Sequence, residues 1–160
     1  MPIGIRMELR DIGGVKNRLN KLASMDPQRS LPVIGETLVD KVREGFAQER
    51  DPYGTPWKPL SPVTIAMRRG SGGARILQDS RRLYNSISAQ VRGNGVAIGT
   101  NVIYAATQQF GRASNRMFGR ASAPIPARPF LPWKNANAAP ELPKDWLDDV
   151  TNILGKLFDE

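Results

Sequence analysis

Apolar and polar residues alternate at the start of the chain. Ile3, Ile5, Met7 and Leu9 fall on one side, Arg6, Glu8 and Arg10 on the other. A period of two predicts a half-buried strand. Asp11 then offers an N-cap, and Ile12, Val15, Leu19 and Leu22 follow at helical spacing, which predicts a short amphipathic helix. The next signal is Asp26-Pro27, a cap followed by a proline at the first helical position. Leu31, Ile34, Leu38, Val42 and Phe46 recur every three or four residues behind it. This spacing predicts the long helix of the chain, with Pro32 either kinking it or marking its first turn. The helix must stop before "RDPYGTPWKPLSP", where proline and glycine forbid regular structure.

The second half is more broken. Ser61 to Arg69 can form a brief helix, and "GSGG" at Gly70 reads as a flexible linker. In "ILQDSRRLYNSI" a short helix is expected with its cap near Asp79, and with Leu83 and Ile87 on the side of Ile76 and Leu77. "AQVRGNGVAIGT" predicts a hairpin, its type I′ turn at Asn94-Gly95. "VIYAATQQF" predicts a short helix with Ile103, Ala106 and Phe110 spaced for one face. "ARPFLPW" admits only an edge strand, because proline cannot donate to a ladder. After Pro140 and Pro143, the residues Trp146, Leu147, Val150, Ile153, Leu154, Leu157 and Phe158 form a dense stripe at 3.6 spacing. The expected fold class is α+β: a small, mainly antiparallel sheet packed by one long helix and several short ones, with a long basic loop and a C-terminal amphipathic helix. We place one α+β domain over residues 1–139, with flexible loops near 70–75 and 111–127, and the terminal helix over 140–160.

Composition narrows the chemistry. The chain has 160 residues, no cysteine and no histidine. Thiol nucleophiles, Cys-ligated zinc and His-dependent triads are therefore excluded. No Walker loop, GxGxxG or HExxH occurs. The nearest carboxylate pair, Asp148 and Asp149, points to different helix faces, and Glu44 and Glu49 read as solvated helix charges beside Lys41 and Arg50. No catalytic residue, metal or cofactor is expected, and the chain is read as no enzyme. It carries no N-terminal apolar signal and no apolar run of spanning length, so no membrane partner is expected and the protein reads as cytoplasmic.

Charge supplies the positive signal. The 23 Lys and Arg against 15 Asp and Glu give a net +8. Residues 141–160 hold two lysines against six acids, a net −4, which leaves +12 on the first 140. A basic body with an acidic tail suits a polyanion or a complementary contact between chains. The charge concentrates between Phe110 and Lys134, where "FGRAS" occurs twice and Arg112, Arg116, Arg120 and Arg128 meet no acid. These arginines are candidates to face a partner or DNA, since like charges without acids need water, an anion or a partner. Glycine before arginine also admits a nest of backbone N–H groups. Tyr53 and Trp57 on the proline-fixed loop, with Trp146, Leu154 and Phe158 on the terminal helix, are candidate subunit-interface anchors. The alternative for Trp57 is the lid of its own core.

The series "RDPYGTPWKPLSPVT", "ILQDSRRLYNSI", "VAIGTNVIYAATQQFG" and "IPARPFL", in this order and at these spacings, resembles the phage virion morphogenesis family, the tail completion proteins of Mu-like phages. The similarity runs from about Met7 to Trp133. One departure is Gln108, which stands where the family pattern "YAAIHQFG" has histidine. The resemblance implies a structural virion protein, assembled in the bacterial host cytoplasm. It would complete the tail at the phage neck as a homo-oligomeric ring, expected to be six-fold. Implied partners are further copies of the chain, head connector or adaptor proteins, and the tail tube or tail terminator, with DNA passing through the lumen without specific binding. From composition alone the competing reading is a sequence-nonspecific nucleic-acid-binding protein acting in packaging or regulation. A virion-borne cell-wall hydrolase would need an acid–base carboxylate pair.

Overall fold

A computed structural model describes residues 27–68, 75–113, 116–117, 120–121, 123–133, 137 and 140–159, with backbone alone at 27–29, 116–117, 120–121 and 157–159. The strand expected over residues 3–9, the helix over 11–22 and the glycine linker at 70–73 lie outside the described residues. The described elements run α1 (Pro27–Gln48), α2 (Pro62–Ala66), α3 (Arg82–Ser86), β1 (Ser88–Arg92), β2 (Gly95–Gly99), α4 (Ala105–Phe110), β3 (Arg116–Met117), β4 (Arg120–Ala121) and α5 (Lys144–Asp159). Helices joined to two small two-stranded sheets make an α+β protein, as the periodicities predict. The chain forms two compact units that interleave in sequence. The first comprises Met1–Val39, Ser88–Ile98 and Lys144–Glu160; the second comprises Asp40–Ile87 and Gly99–Pro143.

In the first unit, α1 lies against the β1–β2 hairpin at Gly35. A Cβ on Gly35 would come within 2.9 Å of the Ala89 Cβ and 3.3 Å of Val96 Cγ1. Close approach of helix to sheet thus offsets the roughly 1 kcal/mol that a mid-helix glycine costs. Leu38, Val39, Val96 and Trp146 are buried. The hairpin forms where expected, but its turn is Gly93-Asn94, one residue earlier than predicted. Only Gly93 has positive φ, at +57°. That is the sign pattern of a type II′ turn, in which glycine takes the first central position, rather than I′. Pairing of β1 with β2 set the register, and the Asn-Gly dipeptide did not.

The second unit is built around Phe46, which is fully buried. Trp57 and Tyr84 meet it edge-on at 5.4 and 5.7 Å between centroids, and Phe130 tilts against it at 5.6 Å. Val42, Ile76, Leu83, Ile87, Val102 and Ala105 complete this core. Helix α1 ends in a Schellman arrangement: Glu49 takes φ +55° and the Arg50 N–H donates to the Gly45 carbonyl at 3.0 Å. A glutamate in the left-handed region is costly. It is held there because its carboxylate accepts from the Ile76 N–H at 2.7 Å and its carbonyl accepts from the Trp57 N–H at 2.8 Å. Glu49 is thus a half-buried structural acid, not the solvated helix charge expected from its neighbours.

Two short helices depart from expectation. Helix α3 starts at Arg81, which has φ +54° and makes no side-chain cap bond, so Asp79 caps nothing. Helix α4 buries Ala105 and Gln109, while Ile103 is 94% exposed and Ala106 is exposed. The predicted apolar face of α4 is therefore wrong. A buried amide replaced the apolar residue on which the periodicity relied.

Candidate functional site

The second unit carries a groove of about 710 Å³. Its walls come from four stretches: the Pro-fixed loop with α2, the turn before α3, the α4 N-terminus with Gln108, and the segment at 123–128. Ser61 caps α2, its Oγ accepting from the Thr64 N–H at 3.1 Å, with Pro62 in the first turn. The Asp51 carboxylate fixes the loop before it by accepting the N–H groups of Tyr53 and Thr55 at 2.9 and 2.8 Å. Leu77, at φ +59°, lines the groove, and Arg81, at +54°, precedes the lining residue Arg82. Bulky residues persist in this conformation only where the surroundings over-determine it.

The floor is held by an arginine. Arg128 is buried, its Nε and Nη2 donating to the carbonyls of Lys58 and Pro59 at 3.0 and 3.2 Å. Its own N–H donates to the Gln108 carbonyl at 2.7 Å. Burial, and then the charge of Arg68 nearby, pull its pKa below the ordinary arginine value. Arg128 was expected as a loop cation in search of a partner. Carbonyls answer its donors instead, and it ties the 123–128 stretch to the Pro-rich loop.

The segment after it makes no strand. Prolines 129 and 132 leave few donors; the Gln109 side chain serves two of them, and the Trp133 N–H donates to the Leu131 carbonyl at 2.7 Å. Gln109 Oε1 accepts from the N–H groups of Phe130 and Leu131, both at 3.0 Å, and Nε2 donates to the carbonyls of Leu131 and Trp133 at 3.1 and 2.8 Å. All four bonds that a primary amide can make are made. The side chain does the work of a neighbouring strand. The glutamine of the "QFG" stretch is thus structural, and Gln108 beside it lines the groove.

The basic stretch is a hairpin at its base and tip. Arg112 and Ile125 exchange both backbone bonds at 2.8 Å, and β3 pairs antiparallel with β4 through Arg116–Ala121 and Met117–Arg120. All three pairs keep one register. Gly111 turns into it at φ +73°, where a Cβ would meet the Ala127 N at 2.8 Å. The N–H of Arg112 is spent on the bridge, so the first "FGRAS" forms no anion nest there. The Arg112 side chain is exposed; those of Arg116 and Arg120 lie outside what is described.

The anchor candidates separate. Trp57 is 5% exposed and its Nε1 donates to the Pro129 carbonyl at 2.7 Å, which makes it a core residue and not a surface anchor. Trp146 is likewise buried, at 4%. The proline-fixed loop that singled out Trp57 and the apolar stripe that singled out Trp146 are what a chain also uses inside itself. Tyr53 is half-buried, its hydroxyl donating to the Glu141 carbonyl at 2.7 Å. Burial first, then the charges of Glu141 and Asp51, raise its pKa above the usual phenol value. Leu154 is half-buried, and the Phe158 side chain lies outside what is described. Sequence reasoning missed the groove itself, because its lining is gathered from residues up to about seventy positions apart.

The described residues contain no group of three acids that would hold a metal ion, and no described helix is long and apolar enough to cross a membrane. What the site presents is a grooved, partly apolar surface with arginines. No solved structure matches the chain. The "Mu-like prophage FluMu G protein 2" of Haemophilus influenzae is 31% identical over 155 residues, covering 96% of this chain and 99% of that protein. The phage virion morphogenesis family matches residues 10–154. With the motif's glutamine and buried arginine now seen to hold the fold, and the match running through both compact units, the chain belongs to the phage virion morphogenesis family and serves in building the phage particle.

Proposed function

We propose that the protein is a structural component of the phage neck. It forms a ring that completes the tail and joins it to the head connector around the DNA channel. The observation that carries this reading is the family match over residues 10–154. The surface supports it. Helix α2 buries none of its residues: its Val63 and Ile65 and the adjoining Met67 are exposed at 62, 46 and 75%. Apolar side chains gathered in this way suit contact with other proteins. A ring needs two unlike surfaces on each copy, one meeting the other on the next subunit. Further copies, the connector or adaptor on the head side and the tube or terminator on the tail side are the partners in this reading. DNA slides past without specific contacts.

The test is genetic and visual. A phage with this gene inactivated is expected to accumulate filled heads and separate tails by electron microscopy, with joining restored by the purified protein. Normal yields of infectious particles from the null phage would refute the proposal. The +12 on residues 1–140 favours a second reading, nucleic-acid binding in packaging or regulation. That reading requires binding of short duplex DNA by the isolated protein, weakening steeply with salt.

A further inference from the structure

The ribbon that carries β3 and β4 has a charge that its own fold does not answer. Between Arg112 and Ile125 the chain holds three arginines, Arg112, Arg116 and Arg120, and no acid. The base is fixed. Phe110 and Trp133 meet edge-on at 5.4 Å between centroids, and the Arg112–Ile125 bridge closes just beyond them. In an antiparallel ribbon, directly opposite residues share a face and successive residues alternate. Arg112 and Ala123 therefore fall on one face, Ala113 and Pro124 on the other. All four are exposed, so at this level neither face is packed away. Arg116 stands four positions from Arg112, opposite Ala121, and shares its face; Arg120, opposite Met117, falls on the other. Among the described residues, no hydrogen bond or ion pair engages the Arg112 side chain.

We propose that this ribbon is the surface that duplex DNA meets on its way past, held by its phosphates and not by its bases. Two features favour DNA over an acidic protein. Positive charge stands on both faces of a two-stranded ribbon, an element that the major groove admits, and both walls of that groove are phosphate. Protein interfaces centre on large apolar or aromatic groups, and Arg112, Ala113, Ala123 and Pro124 offer none. Spacing decides how tightly the contact holds. Arg112 and Arg116 are about 13 Å apart along the strand, at about 3.3 Å per residue. Over that length of axis a duplex carries about eight phosphates. Acceptors outnumber the three arginines at every position along the DNA, so the contact has no preferred register and lets the duplex move. The inference rests on the proposed function, since it names the surface that the passing DNA touches.

Fluorescence anisotropy of a short duplex titrated with the full chain, between 50 and 200 mM salt, tests it. Each phosphate contact contributes about 0.9 to the slope of log affinity against log salt. The triple change Arg112→Gln/Arg116→Gln/Arg120→Gln is therefore expected to make that slope shallower by about 2.7. The advantage of wild type over this variant then shrinks about fortyfold across the fourfold rise in salt. Lysine at the same three positions is expected to keep the wild-type slope, and duplexes of different sequence to bind alike. The bridge at the base is made by main-chain atoms, so unchanged circular dichroism and melting serve as the control for folding. No duplex binding by wild type at 50 mM salt, or a slope that the glutamine changes leave alone, overturns the proposal. So does tighter binding of polyglutamate than of duplex, which would give the ribbon to an acidic protein. If the null phage still accumulates filled heads and separate tails, each of these results sinks the ribbon contact and leaves the neck function standing. Normal yields from the null phage sink the neck function whatever the ribbon binds.

Discussion

Replacing Gln109 by leucine removes four hydrogen bonds from the second unit while keeping the approximate bulk of the side chain. The N–H groups of Phe130 and Leu131 lose their acceptor and the Trp133 carbonyl loses the amide donor, while the Leu131 carbonyl keeps the Trp133 N–H at 2.7 Å. A buried donor without a partner costs about 1–3 kcal/mol. The two amides therefore account for roughly 2–6 kcal/mol. The carbonyls belong to half-buried residues and can rehydrate, so they add little. Leucine is more apolar than glutamine and returns about 1–2 kcal/mol at this 3%-exposed position. Taken at mid-range, these give an expected net loss of about 2.5 kcal/mol, a large part of the 5–15 kcal/mol typical of a folded protein. Urea unfolding with an unchanged slope, and a melting temperature lower by roughly 5–10 °C, would register it. Gln108→Leu, one residue away on the groove side, is the control and is expected to cost under about 1 kcal/mol, as changes outside buried networks do. A Gln109→Leu protein within about 1 kcal/mol of wild type would refute the claim that this amide stands in for a strand.

Two other outcomes follow from the same unit. Trp57→Ala is expected to cost about 3–5 kcal/mol by leaving a cavity beside Phe46, so urea unfolding should show the loss in the isolated subunit; a variant that folds normally but fails only in assembly would return Trp57 to the surface. Tyr53 has a raised pKa, so its neutral phenol contributes fully below the ordinary value near 10. That contribution is lost as pH rises through the higher folded value. Wild type should therefore lose more stability than Tyr53→Phe as pH climbs past 10, and parallel curves for the two proteins would contradict this.

Much of the backbone was legible because periodicity and local stereochemistry act over a few residues. The Asp26-Pro27 signal and the 31, 34, 38, 42, 46 series gave α1, with its buried Leu38, Val42 and Phe46. The stripe after Pro143 gave α5. Reading failed where a polar residue works inside. Gln109 and Arg128 carry no apolar signal, yet both are buried, because proline-rich backbone beside them has donors and carbonyls that only side chains can satisfy. The same cause misled the assignment of the α4 face and left Ile103 outside. Trp57 and Trp146 erred in the opposite sense, since an aromatic residue on a proline-fixed loop or an amphipathic stripe looks alike whether it faces a partner or its own core.

By itself the sequence determined the α+β class, the two amphipathic helices, the separation of a basic body from an acidic tail, and a motif order that belongs to phage virion morphogenesis. Each of these is a property of composition or of spacing along the chain. Only the tertiary structure decided which arginine is solvent-exposed and which is a buried tie, and that loops far apart in sequence enclose a cationic groove. Burial and hydrogen-bond satisfaction are settled by neighbours in space, and the chain must close on itself before those neighbours exist.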